Sequence, residues 1–307
     1  LIDVLLATYN GERYIEEQIE SILAQTYQDF RILIRDDGST DGTVPIIERY
    51  ATKYPEKIVI IKDGKKGGSA AKNFFHLIGA AESDYVMFSD QDDYWLPDKI
   101  AVTYRIMQKI EQKKGKNTPI LAFATYKAVD GELKDTGFNE KNNQISAFKL
   151  DFNHLLVQNY VTGCLTMVNK ALYTKCGDFD DRILMHDWWM ALLASSCGVI
   201  YHIPDVVMLY RQHGDNEVGA VDVKSLRYRI DKFLDKKTSS MQYLYLDQAK
   251  LFMKRYGRIM PVEEYNSLKT FISIYSYKFK IKRMHVLLKG KYLKGDIVRA
   301  IGQLWYI

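Results

Sequence analysis

Short apolar runs that end in polar clusters, separated by stretches with apolar residues three and four apart, fill the first hundred residues. Residues 2–7 are such a run and close on Tyr9-Asn10-Gly11, which predicts a buried strand and a turn. Residues 14–25 carry Ile15, Ile19, Ile22 and Leu23 at helical spacing. A second strand over 31–35 ends in Asp36-Asp37-Gly38, and the next helix has Ser39, Thr40 or Asp41 to cap it and Pro45 in its first turn. Residues 57–62 form a third strand. The loop holding Gly64, Gly67 and Gly68 leads into a helix over 70–81, and the strand 85–89 runs into Asp90-Gln91-Asp92-Asp93.

Strands alternating with amphipathic helices imply a parallel, doubly wound α/β sheet, in which ligands bind beyond the carboxyl ends of the strands. The clusters 8–10, 36–40 and 90–93 all stand at such ends and are expected on one rim. Beyond a helix at 97–112 the pattern weakens. A strand at 120–126, a polar loop region at 131–150, and short strands at 165–168 and 199–201 framing a helix at 186–195 are expected. From about residue 221 the chain reads as helical and basic. The expected organisation is therefore an α/β unit over 1–220, with halves 1–100 and 101–220, and a C-terminal helical extension over 221–307.

The 307 residues are 47% hydrophobic and 26% charged, enough apolar material for one large α/β core or two smaller units. The 22 tyrosines suit sugar or base surfaces and half-buried positions equally. Cys164, Cys176 and Cys197 lack zinc-type spacing and are expected as buried thiols of a reducing compartment. The nearest approach to a membrane-spanning run, 191–207, is broken by His202, Pro204 and Asp205. No basic-then-apolar leader precedes the first strand, and a start at Leu1 implies that a few native residues are missing. Charge changes the picture most. Residues 221–307 hold 19 Lys and Arg against 7 Asp and Glu, a net of +12, while residues 1–220 carry −7. Such asymmetry marks a region that meets something anionic, nucleic acid or lipid headgroups.

Three carboxylates in Asp90-Gln91-Asp92-Asp93 repel one another unless a cation or water compensates. A hard divalent ion, magnesium or manganese, held by one or two of them and by ligand phosphate oxygens fits this pattern. A solvated acidic turn that caps the following helix is the other reading. Asp36–Asp37 likewise serves either a capped turn or an acceptor for the imide N–H of uracil or thymine, with Tyr9 one strand away to stack on the base.

Residues 4–27 (VLLATYNGERYIEEQIESILAQTY), 34–43 (IRDDGSTDGT) and 88–99 (FSDQDDYWLPDK) together resemble a family-2 glycosyltransferase of the GT-A fold, over roughly residues 2–220. Within that family SDQDDYW, MHDWW (185–189) and YRQHGDN (210–216) are most similar to bacterial rhamnosyltransferases of surface polysaccharide synthesis. The resemblance implies a mostly parallel, Rossmann-like sheet flanked by helices. It places Thr8 and Tyr9 at the nucleobase, Asp37 on the pyrimidine N3–H, and Lys72 near the donor phosphates, where the family more often has Arg. Asp90 and Gln91 then belong to the donor site, with Asp90 at the ribose or the metal and Asp92 as the direct metal ligand. The family's Glu-Asp base motif is His186-Asp187 here, so Asp187 keeps the base position.

Other residues join by position. Trp188 either stacks on an acceptor sugar or belongs to the core with Trp189, since neighbours on a helix point about a hundred degrees apart. Arg211 and Asn216 are candidates for the diphosphate or acceptor, His213 for the metal, and Gly163-Cys164 for the acceptor wall. The implied chemistry is inverting: an acceptor hydroxyl gives its proton to a carboxylate while a metal neutralises the departing diphosphate. Asp93 is the next candidate base.

By the same resemblance the donor is dTDP-β-L-rhamnose, with UDP-galactose, UDP-glucose or a UDP-amino sugar as alternatives. The acceptor is a glycan or polyprenyl-diphosphate-linked hydroxyl at the cytoplasmic face of the cell membrane. A nucleotidyltransferase would carry a basic glycine-rich loop where Tyr9-Asn10-Gly11-Glu12 stands. A nucleic-acid-binding module would use the basic C-terminal region, which holds no such motif. Residues 268–307 carry nine Lys or Arg and one acid, Asp296, with apolar residues at roughly helical spacing. They are read either as a segment lying on an anionic membrane or as a packed helical subdomain, with a homodimer contact as a further use.

Overall fold

The computed structural model describes residues 1–65, 67–137, 150–213, 237–295 and 297–307. Its centre is an eight-stranded sheet: β1 (Ile2–Thr8), β2 (Phe30–Asp36), β3 (Ile58–Ile60), β4 (Tyr85–Ser89), β5 (Tyr94–Trp95), β6 (Ile120–Val129), β7 (Thr166–Asn169) and β8 (Val199–Arg211), in the order β3-β2-β1-β4-β7-β6-β8-β5. The first four are parallel, as predicted. β7 then runs antiparallel to both β4 and β6, β8 is parallel to β6, and β5 is antiparallel to β8.

Alternation along the strands divides the core in two. Leu5, Leu33, Val86 and Phe88 face α3 (Ala70–Ala80) and α7 (His186–Cys197). Val4, Leu6, Ile32, Ile34 and Met87 face α1 (Ile15–Leu23), α2 (Thr43–Lys53) and α4 (Lys99–Lys114). A sheet covered on both faces needs largely apolar strands, which is why β1 reads as an apolar run, broken only near its start by Asp3, which is buried against Arg31. Short helices α5 (Phe152–Leu155) and α6 (Lys170–Tyr173) and a 3₁₀ turn, Gly163–Leu165, complete this half.

The C-terminal helices are α8 (Lys237–Tyr256), α9 (Val262–Ser273), α10 (Lys280–Lys289) and α11 (Ile297–Tyr306). They share the α7 core, with the Trp189 ring 5.2 Å from Phe252 and 5.7 Å from Tyr256. The largest departure from expectation is β8, thirteen residues long where three were predicted. Pro204 offers no N–H to a ladder, and the β6–β8 register shifts between Phe123, Thr125 and Tyr126, so the strand passes the proline through an irregularity.

Candidate active site

Register alone brings the three polar clusters together. Thr8 lies across from Asp36, and Leu6 across from Ser89, so β1, β2 and β4 end side by side. Thr8 Oγ1 donates to Asp36 Oδ1 at 2.9 Å, and Asp36 Oδ2 takes the N–H groups of Gly38 and Ser39 at 2.9 and 2.8 Å. Asp36 therefore builds the turn and leaves Asp37 for ligands. Asp37 itself accepts from the N–H of Gly67 and, at 2.7 Å, of Gly68, with Arg35 Nη1 at 3.5 Å. A Cβ on Gly67 would lie 2.6 Å from Asp37 Oδ1, so this approach of loop to carboxylate requires glycine.

Gln91 staples the rim. Its side-chain carbonyl accepts from Tyr9 N at 2.8 Å and its amide donates to Tyr9 O at 2.9 Å, leaving the Tyr9 ring exposed. Lys72 stands half-buried in the first turn of α3, which starts from the same rim.

The acidic turn is held from the far end of the chain. β5 pairs Tyr94 with Leu209 and Trp95 with Met208, which draws the residues after β8 onto Asp92 and Asp93. His213 Nε2 comes to 2.9 Å from Asp92 Oδ2. Arg211, expected at a diphosphate or acceptor, is buried instead. Its Nε donates to Asp92 O at 2.9 Å, Nη1 to Gly131 O at 2.5 Å and Nη2 to Glu17, and its guanidinium lies 4.5 Å from the Tyr14 ring centroid. A long cation ending a strand looks solvent-facing in sequence. Here it braces α1, the acidic turn and the β6 hairpin. Asn216 lies outside the described residues.

Beneath the turn sits a charged group that no motif drew attention to. The Lys99 ammonium is fully buried, donates to Cys164 O at 2.5 Å and lies 3.7 Å from the Trp95 ring centroid. Burial pushes it down to about 8 against the pull of Cys164, Asp93 and Asp90. Asp93 is buried too, and burial, then Asp92 and Asp90, raise it well above the carboxylate range. The signal was a lysine nine residues after Asp90, in the first turn of the next helix.

The base side is reached through the 3₁₀ turn. Ligating atoms of Asp90, Asp93 and Cys164 lie within 4.8 Å of one another, and a Cβ on neighbouring Gly163 would stand 3.5 Å from Asp187 Cβ. One turn thus walls both the acidic cluster and Asp187. Burial pushes the Asp187 carboxyl up to about 6, against the N–H of Trp188, the Asn159 side chain and the N–H of Gly163. Asn159 was missed, having no motif of its own. At the family's Glu position, burial pushes the His186 imidazole down to about 3, and its ring packs 4.0 Å from Phe74 and 4.9 Å from Phe88. Trp188 belongs to the core, donating Nε1–H to Leu155 O at 2.6 Å and packing 5.4 Å from Tyr245.

The donor chemistry fits a divalent cation. Asp92 and His213 offer a carboxylate oxygen and an imidazole nitrogen 2.9 Å apart, while Asp90 lies in the neighbouring group with Asp93 and Cys164. Burial first, and then Asp93 and Asp90, push the Cys164 thiol up, and its soft sulfur matches a hard divalent cation less well than the carboxylates do.

Comparison with known proteins gives a consistent result. The sequence profile described as Glycosyl transferase family 2 matches residues 3–173. The dTDP-rhamnosyl transferase RfbG of Shigella flexneri is 32% identical over 228 residues, 70% of this chain and 74% of RfbG. In fold, S. aureus TarS 1–349 in complex with UDP-GlcNAc superposes with a TM-score of 0.55 at 15% identity, covering 99% of this chain and 90% of that one. The mannosyltransferase PcManGT from Pyrobaculum calidifontis, in complex with GDP-Man and Mn2+, gives 0.55 at 16% identity over 99% and 87%.

Proposed function

From the premise that the chain belongs to glycosyltransferase family 2, we propose that it transfers a sugar, with inversion, from a pyrimidine nucleotide to an acceptor hydroxyl. The observation that carries this is Asp187: a buried carboxyl at about 6, separated from the acidic turn by one 3₁₀ turn. A base is most effective when its affinity for the proton is near the working pH, and burial brings this one there.

Tyr9 offers its exposed ring to the base. Asp37 accepts the N3–H on lone pairs that Gly67 and Gly68 leave over, since a carboxylate has about four such positions. Lys72 faces the phosphates. Asp92, Asp90 and His213 would hold magnesium or manganese, which supplies Lewis-acid stabilisation of the departing diphosphate. Arg211 fixes the backbone of Asp92 so that its carboxylate keeps one direction. Asp187 takes the acceptor proton as the hydroxyl attacks opposite the leaving group, so no covalent intermediate forms.

Likeness to RfbG supports dTDP-β-L-rhamnose as donor, with an α-L-rhamnosyl product. The acceptor is a glycan or polyprenyl-diphosphate-linked hydroxyl, at a peripheral position on the inner face of the membrane. Incubation with a panel of dTDP- and UDP-sugars, followed by nucleotide diphosphate release, tests this. Preference for a UDP-sugar removes rhamnose and keeps the class; release from none of them removes the class.

A further inference from the structure

The C-terminal helices carry a surface that the active site does not use. Along α11, Ile297, Ile301 and Trp305 follow one another at four-residue spacing and are 79, 56 and 63% exposed. The opposite side of the helix is fastened down: Gln303 is buried, donates to Tyr292 O at 2.8 Å and accepts from Lys294 N at 3.0 Å. Beside the exposed side runs the start of α10. Lys280 Nζ donates to Trp305 O at 2.5 Å and lies 5.4 Å from its ring centroid, and its neighbours Phe279 and Ile281 are 71 and 81% exposed. Lys278, Lys280 and Lys282 alternate with these two apolar residues, all of them exposed.

We infer that this face of α10 and α11 seats the enzyme on an anionic lipid bilayer, with Phe279, Ile281, Ile297, Ile301 and Trp305 entering the headgroup region. Residues 268–307 bring nine cations and one acid, which complements anionic headgroups. The same charge opposes a second copy, because pairing the face with itself would bring two segments of net +8 together. Apolar residues and tryptophan between lysines suit an interface with a polar and an apolar side, and the lysine stems reach across it.

The surface is joined to the acceptor side of the site. Gly295, between α10 and α11, donates its N–H to Gln158 at 3.2 Å, and Asn153 donates to Gly290 O at 2.9 Å. Asn159, next to Gln158, is the residue whose side chain reaches Asp187. A bilayer under α11 therefore lies on the flank where an acceptor enters. The purpose of the seat rests on the lipid-linked acceptor proposed above, but its test does not.

Cosedimentation of the full chain, without donor, with vesicles of phosphatidylcholine alone or with about one third phosphatidylglycerol decides it. Binding is expected on the anionic vesicles, at least about tenfold tighter than on neutral ones and weakened by salt. Trp305 is the exposed one of the four tryptophans, so its emission should shift to the blue on binding. Ile301→Glu puts a carboxylate mid-face at an exposed position and should lower binding at least about tenfold, with nucleotide diphosphate release and the circular dichroism spectrum unchanged. Lys280→Glu with Lys282→Glu should do the same. Equal binding to both vesicles, no binding, or full binding by these folded variants overturns the proposal. So does a dimer, seen by sedimentation without lipid, that Ile301→Glu dissociates. Loss of transfer with retained vesicle binding would instead refute the transferase reading alone.

Discussion

Asp187→Asn should make the protein less active and more stable at once. Folding holds this carboxyl at about 6 rather than 3.8, so each unit of displacement is worth about 1.4 kcal/mol and the folded state carries about 3 kcal/mol of strain at neutral pH. The sign follows from proton binding. Below about pH 4 the group is protonated folded and unfolded, and the cost is absent. Between about pH 4 and 6 the unfolded chain ionises first, and stability falls as pH rises. Above about 6 the loss is complete and constant. The amide cannot ionise and still accepts from the N–H groups of Trp188 and Gly163. At pH 7.5 it should therefore gain about 1–3 kcal/mol and a few degrees in Tm, a gain that shrinks to nothing near pH 4. Turnover at saturating donor should fall by ~10²–10⁴. For the native enzyme kcat/KM should rise with pH along a limb centred near 6, with about a tenth of the neutral-pH rate at pH 5, and Asp187→Asn should lose that limb. Differential scanning fluorimetry across pH and nucleotide diphosphate release are the two assays. A stability difference independent of pH, or near-native turnover in the folded variant, would refute the assignment.

Asp92→Ala should abolish transfer, and excess chelator should do the same to the native protein; activity surviving the chelator would leave Lys72 or another cation to stabilise the leaving group. Arg211→Met removes three charged donors from half-buried backbone and Glu17, and should cost ~2 kcal/mol in urea unfolding together with most of the activity. A loss under about 0.5 kcal/mol would show that the acidic turn holds without its brace. Gly163→Ala places a Cβ 2.9 Å from His186 Nε2, so the wall of Asp187 must shift. It should lower kcat while donor affinity, read by calorimetry, stays within about twofold. Unchanged kcat would mean that the turn is not part of the acceptor wall.

The parallel half of the sheet was legible because its physics is local. Residues 2–7 and 85–89 are largely apolar because both sheet faces are covered, and the polar residues after them mark the rim; the exception, Asp3, is buried against Arg31. What the sequence hid depends on residues far apart along it. Tyr94-Trp95 is too short to announce a strand, and β8 is interrupted by Pro204, so their pairing could not be foreseen. With it went the brace of Arg211 on Asp92. Lys99 carried no motif, and Trp188 was open between sugar platform and core, because burial is decided by the elements that cover them. His186 showed its sequence position and not its phenylalanine neighbours.

The Arg211 clamp also sets a schedule. Its partner carbonyl on Asp92 is made 119 residues earlier. A ribosome adding about 5–20 residues per second needs roughly 6–24 s to span that interval. During that time β1, β2 and β4 can pair while the acidic turn lacks the guanidinium that fixes it and the imidazole of His213. The rim formed by β1, β2 and β4 can thus assemble before the acidic turn is fixed. The acidic turn is completed late, once β8 has taken its place between β6 and β5.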